Sequence, residues 1–272
     1  MKQFQLLHWL SKPKNLWVTI FLYTILTGLF VQLIFLPYIF PAGHAGNGLL
    51  KGVDGKGFHK LALELSEAIK AEGWSQWDLM PGGQLVSGVA AIFYVVIYPK
   101  PWSVLPFNAI LNASACLCLY LIISELMEDH IKGVIASLPF IFFPSSLLRN
   151  AQFHNENYAI PGVIFILFGW MLIARKNANP QSIKFPDSAR ALFFIALGSL
   201  LLGLVRLYIL SGMIYLYGAM GFALGIYWLR GRDDTRAYLL KLFVATIGFS
   251  IMLFTGAVIK SYNKDSSSDL TV

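Results

Sequence analysis

Long runs of hydrophobic residues alternate with short polar segments along most of the 272-residue chain. Most of these runs have the roughly 17 to 25 residues that a helix needs to cross a hydrocarbon core of about 30 Å. The sequence therefore predicts an all-α, polytopic membrane protein with seven transmembrane helices. The predicted spans are 16–40, 105–127, 131–148, 158–174, 191–210, 213–229 and 239–259.

One further apolar run, 85–98, is shorter, and prolines and glycines bound it at both ends. The distribution of basic residues decides where it lies, because Lys and Arg concentrate in cytoplasmic loops. If the run does not cross and the N-terminus is cytoplasmic, the basic loops near 175–190 and 230–236 are cytoplasmic as well. If it crosses, both basic loops lie outside. We therefore predict that 83–99 lies along the outer membrane face or dips in and returns.

This topology places the segments 42–104 and 149–157 together on the outer face. Within the first, apolar residues recur at the spacing of one helical face and predict an amphipathic helix over 57–72, lying at the membrane interface. Its apolar positions are Phe58, Leu61, Ala62, Leu65, Ala68 and Ile69.

Composition excludes a soluble domain of this size, since 57% of the residues are hydrophobic and 13% charged, with a mean hydropathy of +0.63. The formal charge of +7 comes largely from loops beside apolar runs, which is typical of membrane topology. We therefore expect a lipid bilayer as partner and no nucleic acid. Cys116 and Cys118 point to different faces of one helix and are not expected to pair.

An acidic residue flanked by glycines, Asp54, opens the amphipathic helix, with Phe58, His59 and Ala62 following. One span, this loop, a second apolar segment over 81–99 and then Asn108 in the next span form a pattern that resembles the GT-C superfamily of membrane glycosyltransferases. Within it, the chain is similar to the protein O-mannosyltransferase and aminoarabinose transferase branch, glycosyltransferase family 39. The stretch 151–156, Ala-Gln-Phe-His-Asn-Glu, resembles the place where bacterial members carry a second acidic residue.

The resemblance implies an inverting transfer of a sugar from a polyprenyl-phosphate donor to an acceptor glycan, lipid or protein outside a bacterial cytoplasmic membrane. The acceptor hydroxyl loses a proton as it attacks, which calls for a carboxylate base. The leaving phosphate needs a cation beside it. The resemblance implies Asp54 as base and Glu156 as the second catalytic acid. Substrate-binding candidates are Arg206, Arg149, His59, Lys51 and His154.

The sequence defines no certain cofactor. A divalent metal at His154 and Glu156 stays open, because a His-x-Glu pair alone does not make a ligand set. Family members continue beyond seven spans, whereas this chain ends in the polar segment 260–272. We therefore expect a truncated or minimal member, made of a single transmembrane module over 1–272.

Each candidate also has a structural alternative. Asp54 suits a helix N-cap, and Arg206 lies close enough to a span end to snorkel to the interface. A lipid-binding, flipping or scaffold subunit would need Arg206 but not Asp54. A secondary transporter would show inverted repeats, which the sequence does not show clearly.

Overall fold

The computed structural model describes residues 2–175 and 185–206. The chain forms two compact units, Met1–Pro161 and Gly162–Val272, and each is described by itself. Within the described residues the regular structure is helical, apart from one isolated antiparallel bridge between His44 and Leu50. The all-α prediction is confirmed for this part of the chain, whereas the single module over 1–272 stays a prediction.

Nine α-helices follow one another in the described ranges. Seven lie in the first unit, α8 begins there and continues past Pro161, and α9 lies in the second. They are α1 Lys2–Leu10, α2 Pro13–Phe30, α3 Gly55–Glu72, α4 Leu85–Val96, α5 Leu105–Leu126, α6 His130–Phe142, α7 Pro144–Asn150, α8 Glu156–Arg175 and α9 Phe185–Val205.

Two of the described helical stretches, Pro13–Ile39 and Pro101–Leu126, are long and apolar enough to cross a membrane. Helix α2 has two distinct faces. One is buried, with Leu16, Ile20, Thr24 and Gly28 at a spacing of four, and it packs on α5. The other leaves large apolar side chains exposed, as expected of a lipid-facing surface. These are Val18, Leu22, Leu26 and Phe30.

The last part of the first span is a π-helix, Val31–Ile39, with Pro37 inside it. Proline has no backbone N–H and disturbs the regular hydrogen-bond ladder of an α-helix. The N–H of Phe40 accordingly donates to the carbonyl of Phe35, 2.7 Å away and five residues back.

The predicted span 131–148 is broken. Helices α6 and α7 meet at an angle of 64° between Phe143 and Pro144. A residue before proline is pushed out of helical conformation, and Phe143 is extended, with φ −64° and ψ 129°. The pair counts as a third span only if it is taken as one bent crossing.

The remaining predicted spans are described only in part. The run 158–174 corresponds to a shorter apolar helix, Glu156–Leu172, and 191–210 to Ala189–Val205. The runs 213–229 and 239–259 lie outside the described residues. Two or three candidate crossings are thus present in the described part of the chain, and the number seven stays a prediction.

Helices α3 and α4 form a hairpin in the loop between the first two spans. Helix α3 begins two residues before the predicted 57–72, and α4 occupies the centre of the predicted 83–99. The buried face of α3 includes Phe58, Ala62 and Ile69. The helix packs against α4, so protein covers much of the face that was expected to lie on the membrane.

In the second unit, α8 and α9 approach closely at small residues. A Cβ on Gly198 would lie 2.4 Å from the carbonyl oxygen of Gly162, so neither helix has room for a larger residue there.

In the first unit, Cys116 and Cys118 are buried and not disulfide-bonded, as predicted.

Candidate functional site

A short turn after the first span has three consecutive residues with positive φ: Gly46 at 98°, Asn47 at 52° and Gly48 at 75°. Asparagine and glycine are the residues that adopt this conformation most readily. Gly48 also packs against the first span, because a Cβ there would lie 2.6 Å from the carbonyl oxygen of Gln32. The turn is therefore pressed against the start of the π-helix.

The side chain of Gln152 ties this turn to the segment 149–157. Its Oε1 accepts from the N–H of Leu50 at 2.9 Å, and its Nε2 donates to the carbonyl of Gly48 at 3.0 Å. Gln152 is 1% exposed. The two segments predicted to share one membrane face thus lie in direct contact, through a glutamine that the sequence did not single out.

Three side-chain amides complete the C-terminal end of α7. The last carbonyls of a helix have no partner within the helix. Here three successive carbonyls each accept a hydrogen bond from a different part of the chain. The pairs are Asn108 Nδ2 to Asn150 O at 3.2 Å, Gln32 Nε2 to Ala151 O at 2.5 Å and Asn157 Nδ2 to Gln152 O at 2.9 Å.

His59, a predicted substrate-binding residue, is 6% exposed and bonded on both ring nitrogens. Its Nδ1 lies 2.6 Å from the hydroxyl of Tyr94 in α4, and its Nε2 lies 3.3 Å from the amide nitrogen of Asn47. Burial, and then the charge of Lys100, lower the pKa of His59. His59 therefore acts as a clamp between α3, α4 and the turn, and we assign it a positioning role.

Asp54, the predicted catalytic base, directly precedes α3 and is exposed. Its side chain makes no capping hydrogen bond to the helix. The alternative in which the carboxylate serves as an N-cap is therefore not the observed geometry. The carboxylate is open to a ligand arriving from solvent.

The first turn of α3 rests on the segment that carries the second acidic residue. A Cβ on Gly55 would lie 3.4 Å from the carbonyl oxygen of Phe153, and the Phe153 ring packs on His59 with centroids 6.3 Å apart. His154 follows at once, and its Nδ1 makes a very short contact with a carboxylate oxygen of Glu156. Asp54 and Glu156 thus flank one packed junction.

Arg149, a predicted phosphate ligand, belongs to the same segment. Its Nη2 donates to Ser146 Oγ at 3.1 Å, and its guanidinium lies 5.6 Å from the centroid of the Phe140 ring. It also interacts electrostatically with Glu156. Its buried Nε has no hydrogen-bond partner among the described residues.

The other two predicted substrate-binding residues are Lys51, in the loop after the first span, and Arg206, in the second unit. Lys51 is exposed, with its backbone N–H donating to Gly43 O at 2.8 Å. Arg206 follows the end of α9 in the second unit, and its N–H donates to Leu202 O at 2.8 Å. In the part of the chain that the structure describes, no group of three or more metal-ligating side chains occurs.

The fold and these contacts define a helical, membrane-associated protein, with a long loop folded onto the segment that follows the broken helix pair α6 and α7. Comparisons with protein-family models, curated proteins and solved structures found no match. Its function is therefore inferred from the chemistry of the junction between α3 and the segment 149–157.

Proposed function

We propose that the protein is a membrane glycosyltransferase that moves a sugar, with inversion, from a polyprenyl-phosphate donor to an acceptor outside the membrane. The proposed setting is a bacterial cytoplasmic membrane, with a cytoplasmic N-terminus and seven crossings. The observation that supports it best is the close approach of Gly55 to Phe153, whose carbonyl oxygen would lie 3.4 Å from a Cβ on Gly55. This approach brings the Asp54 turn beside the His154–Glu156 pair.

In the proposed reaction, Asp54 is the general base. An acceptor hydroxyl transfers its proton to the Asp54 carboxylate while its oxygen bonds to the anomeric carbon of the sugar. The bond between that carbon and the donor phosphate breaks, and the polyprenyl phosphate leaves with the electron pair. An exposed carboxylate without a capping bond has its lone pairs open for this proton.

The neighbouring groups would orient the acceptor and hold the phosphate. Glu156 is already partnered by His154, which suits a residue that positions an acceptor hydroxyl better than a second base. Arg149 is the candidate for holding the phosphate, because it interacts with Glu156 and its buried Nε–H has no partner among the described residues. Lys51 adds positive charge to the same loop, and Arg206, in the second unit, stays a predicted substrate-binding residue.

A second candidate function is a non-catalytic lipid-binding, flipping or scaffold subunit. It is favoured by the contrast between Asp54, which is exposed, and the buried His59 and Gln152, whose hydrogen bonds serve packing. In such a subunit the junction would fix the loop, and Asp54 would have no chemical role.

The experiment reconstitutes the full chain in lipid vesicles with a synthetic polyprenyl-phosphate hexose labelled in the sugar, and offers glycan, lipid and peptide acceptors. Asp54→Asn is compared with Glu67→Gln, which replaces an exposed carboxylate within α3. A transferase that uses Asp54 as base loses at least about 100-fold in rate with the first variant and keeps its rate with the second.

Two results would overturn parts of the proposal. Full activity of Asp54→Asn removes Asp54 from the reaction. Donor binding without transfer to any acceptor, in wild type and both variants alike, supports the non-catalytic subunit instead.

A further inference from the structure

Large apolar side chains are exposed at both ends of helix α4, while its middle is covered by protein. The buried stretch includes Leu85, Val86, Ala90, Ala91 and Tyr94. Before the helix the exposed residues are Trp74 at 54%, Trp77 at 36% and Leu79 at 37%. At its C-terminal end they are Val96, the last residue of the helix, at 68%, Ile97 at 50% and Tyr98 at 51%. We call these two groups the α4 end residues.

The first group is held rigidly on the helix. The indole Nε1 of Trp77 donates to the carbonyl of Gly88 at 3.0 Å, and a Cβ on Gly88 would lie only 2.1 Å from Leu79 O. The N–H of Met80 donates to Asp78 Oδ1 at 2.8 Å, which fixes the turn into the helix. The exposed side chains are therefore presented by an ordered backbone.

The second group is held in place by aromatic stacking. The rings of Tyr98 and Trp102 stack with centroids 5.8 Å apart and planes at 15°. The candidate span Pro101–Leu126 begins three residues after Tyr98. The exposed surface of Val96, Ile97 and Tyr98 thus lies next to the point where that span enters the membrane.

The length of α4 places both groups on one side of the bilayer. Its twelve residues extend about 18 Å, well short of a hydrocarbon core of about 30 Å. Since the helix cannot carry one end across, its two ends meet the same interface. Tryptophan and tyrosine are the side chains that favour this region, because their rings are apolar and their polar atoms stay hydrated or bonded.

We propose that the α4 end residues are membrane anchors that insert at the boundary between lipid headgroups and acyl chains. The partner is the phospholipid interface. The helix is anchored to it at both ends, while protein covers its middle. Because α3 packs on α4, this anchoring would also fix the position of α3 relative to the bilayer. This inference does not depend on a glycosyltransferase activity.

The test places an environment-sensitive NBD fluorophore on single cysteines in a Cys116→Ala, Cys118→Ala background. Two sites probe each end of the helix: Trp74→Cys and Leu79→Cys, then Val96→Cys and Tyr98→Cys. Controls are Glu67→Cys and Lys70→Cys on the exposed face of α3. The full chain is reconstituted in phosphatidylcholine and phosphatidylglycerol vesicles that contain lipids with doxyl quenchers at carbon 5 or carbon 12.

Interfacial anchors predict a blue-shifted emission at the four α4 sites and at least about twofold stronger quenching by 5-doxyl lipid than at the controls. Quenching by 5-doxyl lipid that is no stronger than at the controls would refute the proposal. Quenching by aqueous iodide would then show whether the sites lie in water or are covered by protein. Stronger quenching by 12-doxyl than by 5-doxyl lipid would also refute it, because the ends would then lie in the hydrocarbon core. With two sites per end, one variant that fails to fold leaves each end tested.

Discussion

The ammonium group of Lys100 donates a hydrogen bond to Asn47 Oδ1 at 2.8 Å, and this contact selects the tautomer of the neutral His59 ring. With its oxygen turned to Lys100, Asn47 presents its NH₂ group to His59 Nε2, 3.3 Å away, which must accept. The neutral ring then carries its proton on Nδ1 and donates it to the Tyr94 hydroxyl. A second proton on the ring would face the Asn47 NH₂ group, donor against donor.

Acidification should therefore loosen the junction. The groups that face His59 are Asn47, Tyr94, the Phe153 ring and, through its charge, Lys100. Because the folded pKa lies below the ordinary value of 6.5, the unfolded chain binds the proton more readily. The stability contributed by His59 is then complete above that value, and it is lost as the pH falls below it.

The measurement is thermal unfolding in detergent between about pH 8 and pH 5.5, where histidine titrates. His59→Gln should lower stability at high pH by about 1 to 3 kcal/mol, since it leaves buried partners unbonded, and should flatten part of the pH dependence. His8→Gln, at an exposed site in α1, is the control. An unchanged pH dependence in His59→Gln would contradict the tautomer assignment.

Two aspartates at helix starts should respond differently to replacement by alanine. Asp129 caps α6, with its Oδ1 accepting from the N–H groups of Ile131 at 2.8 Å and Lys132 at 3.3 Å. Asp54 makes no such bond to α3. We expect Asp129→Ala to cost about 1 kcal/mol of unfolding free energy and Asp54→Ala to change it by less than about 0.5 kcal/mol.

Chemical or thermal unfolding of the two variants beside wild type checks this expectation. Equal losses would mean that Asp54 supports α3 after all, and a fall in transfer rate in Asp54→Asn would then have a structural cause. The stability of the Asp54 variants must therefore be measured together with their transfer rates.

Hydropathy and helical spacing predicted much of the helix pattern, because burial in lipid or protein imposes a local periodicity. The amphipathic helix α3, the short α4 and the first two spans all follow from it. The break between α6 and α7 was missed: Pro144 stands inside an apolar run, and the hydropathy alone does not show the bend. The contact of α3 with α4 was also missed, because the sequence pattern of an apolar face is the same whether lipid or a neighbouring helix covers it.

The candidate site was predicted only in part. The two acidic positions came from a resemblance, and the sequence order placed both segments on one membrane face. The amides that hold these segments together, Gln32 and Gln152, had no local signal, because their partners lie 119 and 102 residues away. His59 was marked for its chemistry, yet its role depends on Asn47 and Tyr94, which no pattern in the sequence connects to it.

Two glycines should show opposite responses to a single methyl group. Gly48 has φ 75°, and a Cβ there would meet Gln32 O at 2.6 Å, whereas Gly57 lies in α3 with nothing within 4 Å of that position. We expect Gly48→Ala to cost at least about 2 kcal/mol through strain and overlap. Gly57→Ala should stabilise the protein by up to about 1 kcal/mol, because alanine favours the helix.

Unfolding midpoints of both variants against wild type provide the measurement. A neutral Gly48→Ala would show that the turn 46–48 is not pressed against the first span. That result would also weaken the placement of Asp54, whose loop begins with this turn.

The crossing of α4 can be decided by labelling one residue beyond it. The basic loops favour a cytoplasmic N-terminus, so Lys56 in the first loop is expected outside. Met127, 51% exposed just after α5, lies inside if α4 does not cross and outside if it does. Because α4 extends only about 18 Å, we expect Met127 inside.

The measurement uses right-side-out vesicles and single cysteines in the Cys116→Ala, Cys118→Ala background. A membrane-impermeant maleimide should label Lys56→Cys but not Met127→Cys. Lys14→Cys is the cytoplasmic control. Labelling of Met127→Cys before the membrane is opened would mean that α4 crosses, which would place the later basic loops outside and reverse the proposed topology beyond α4.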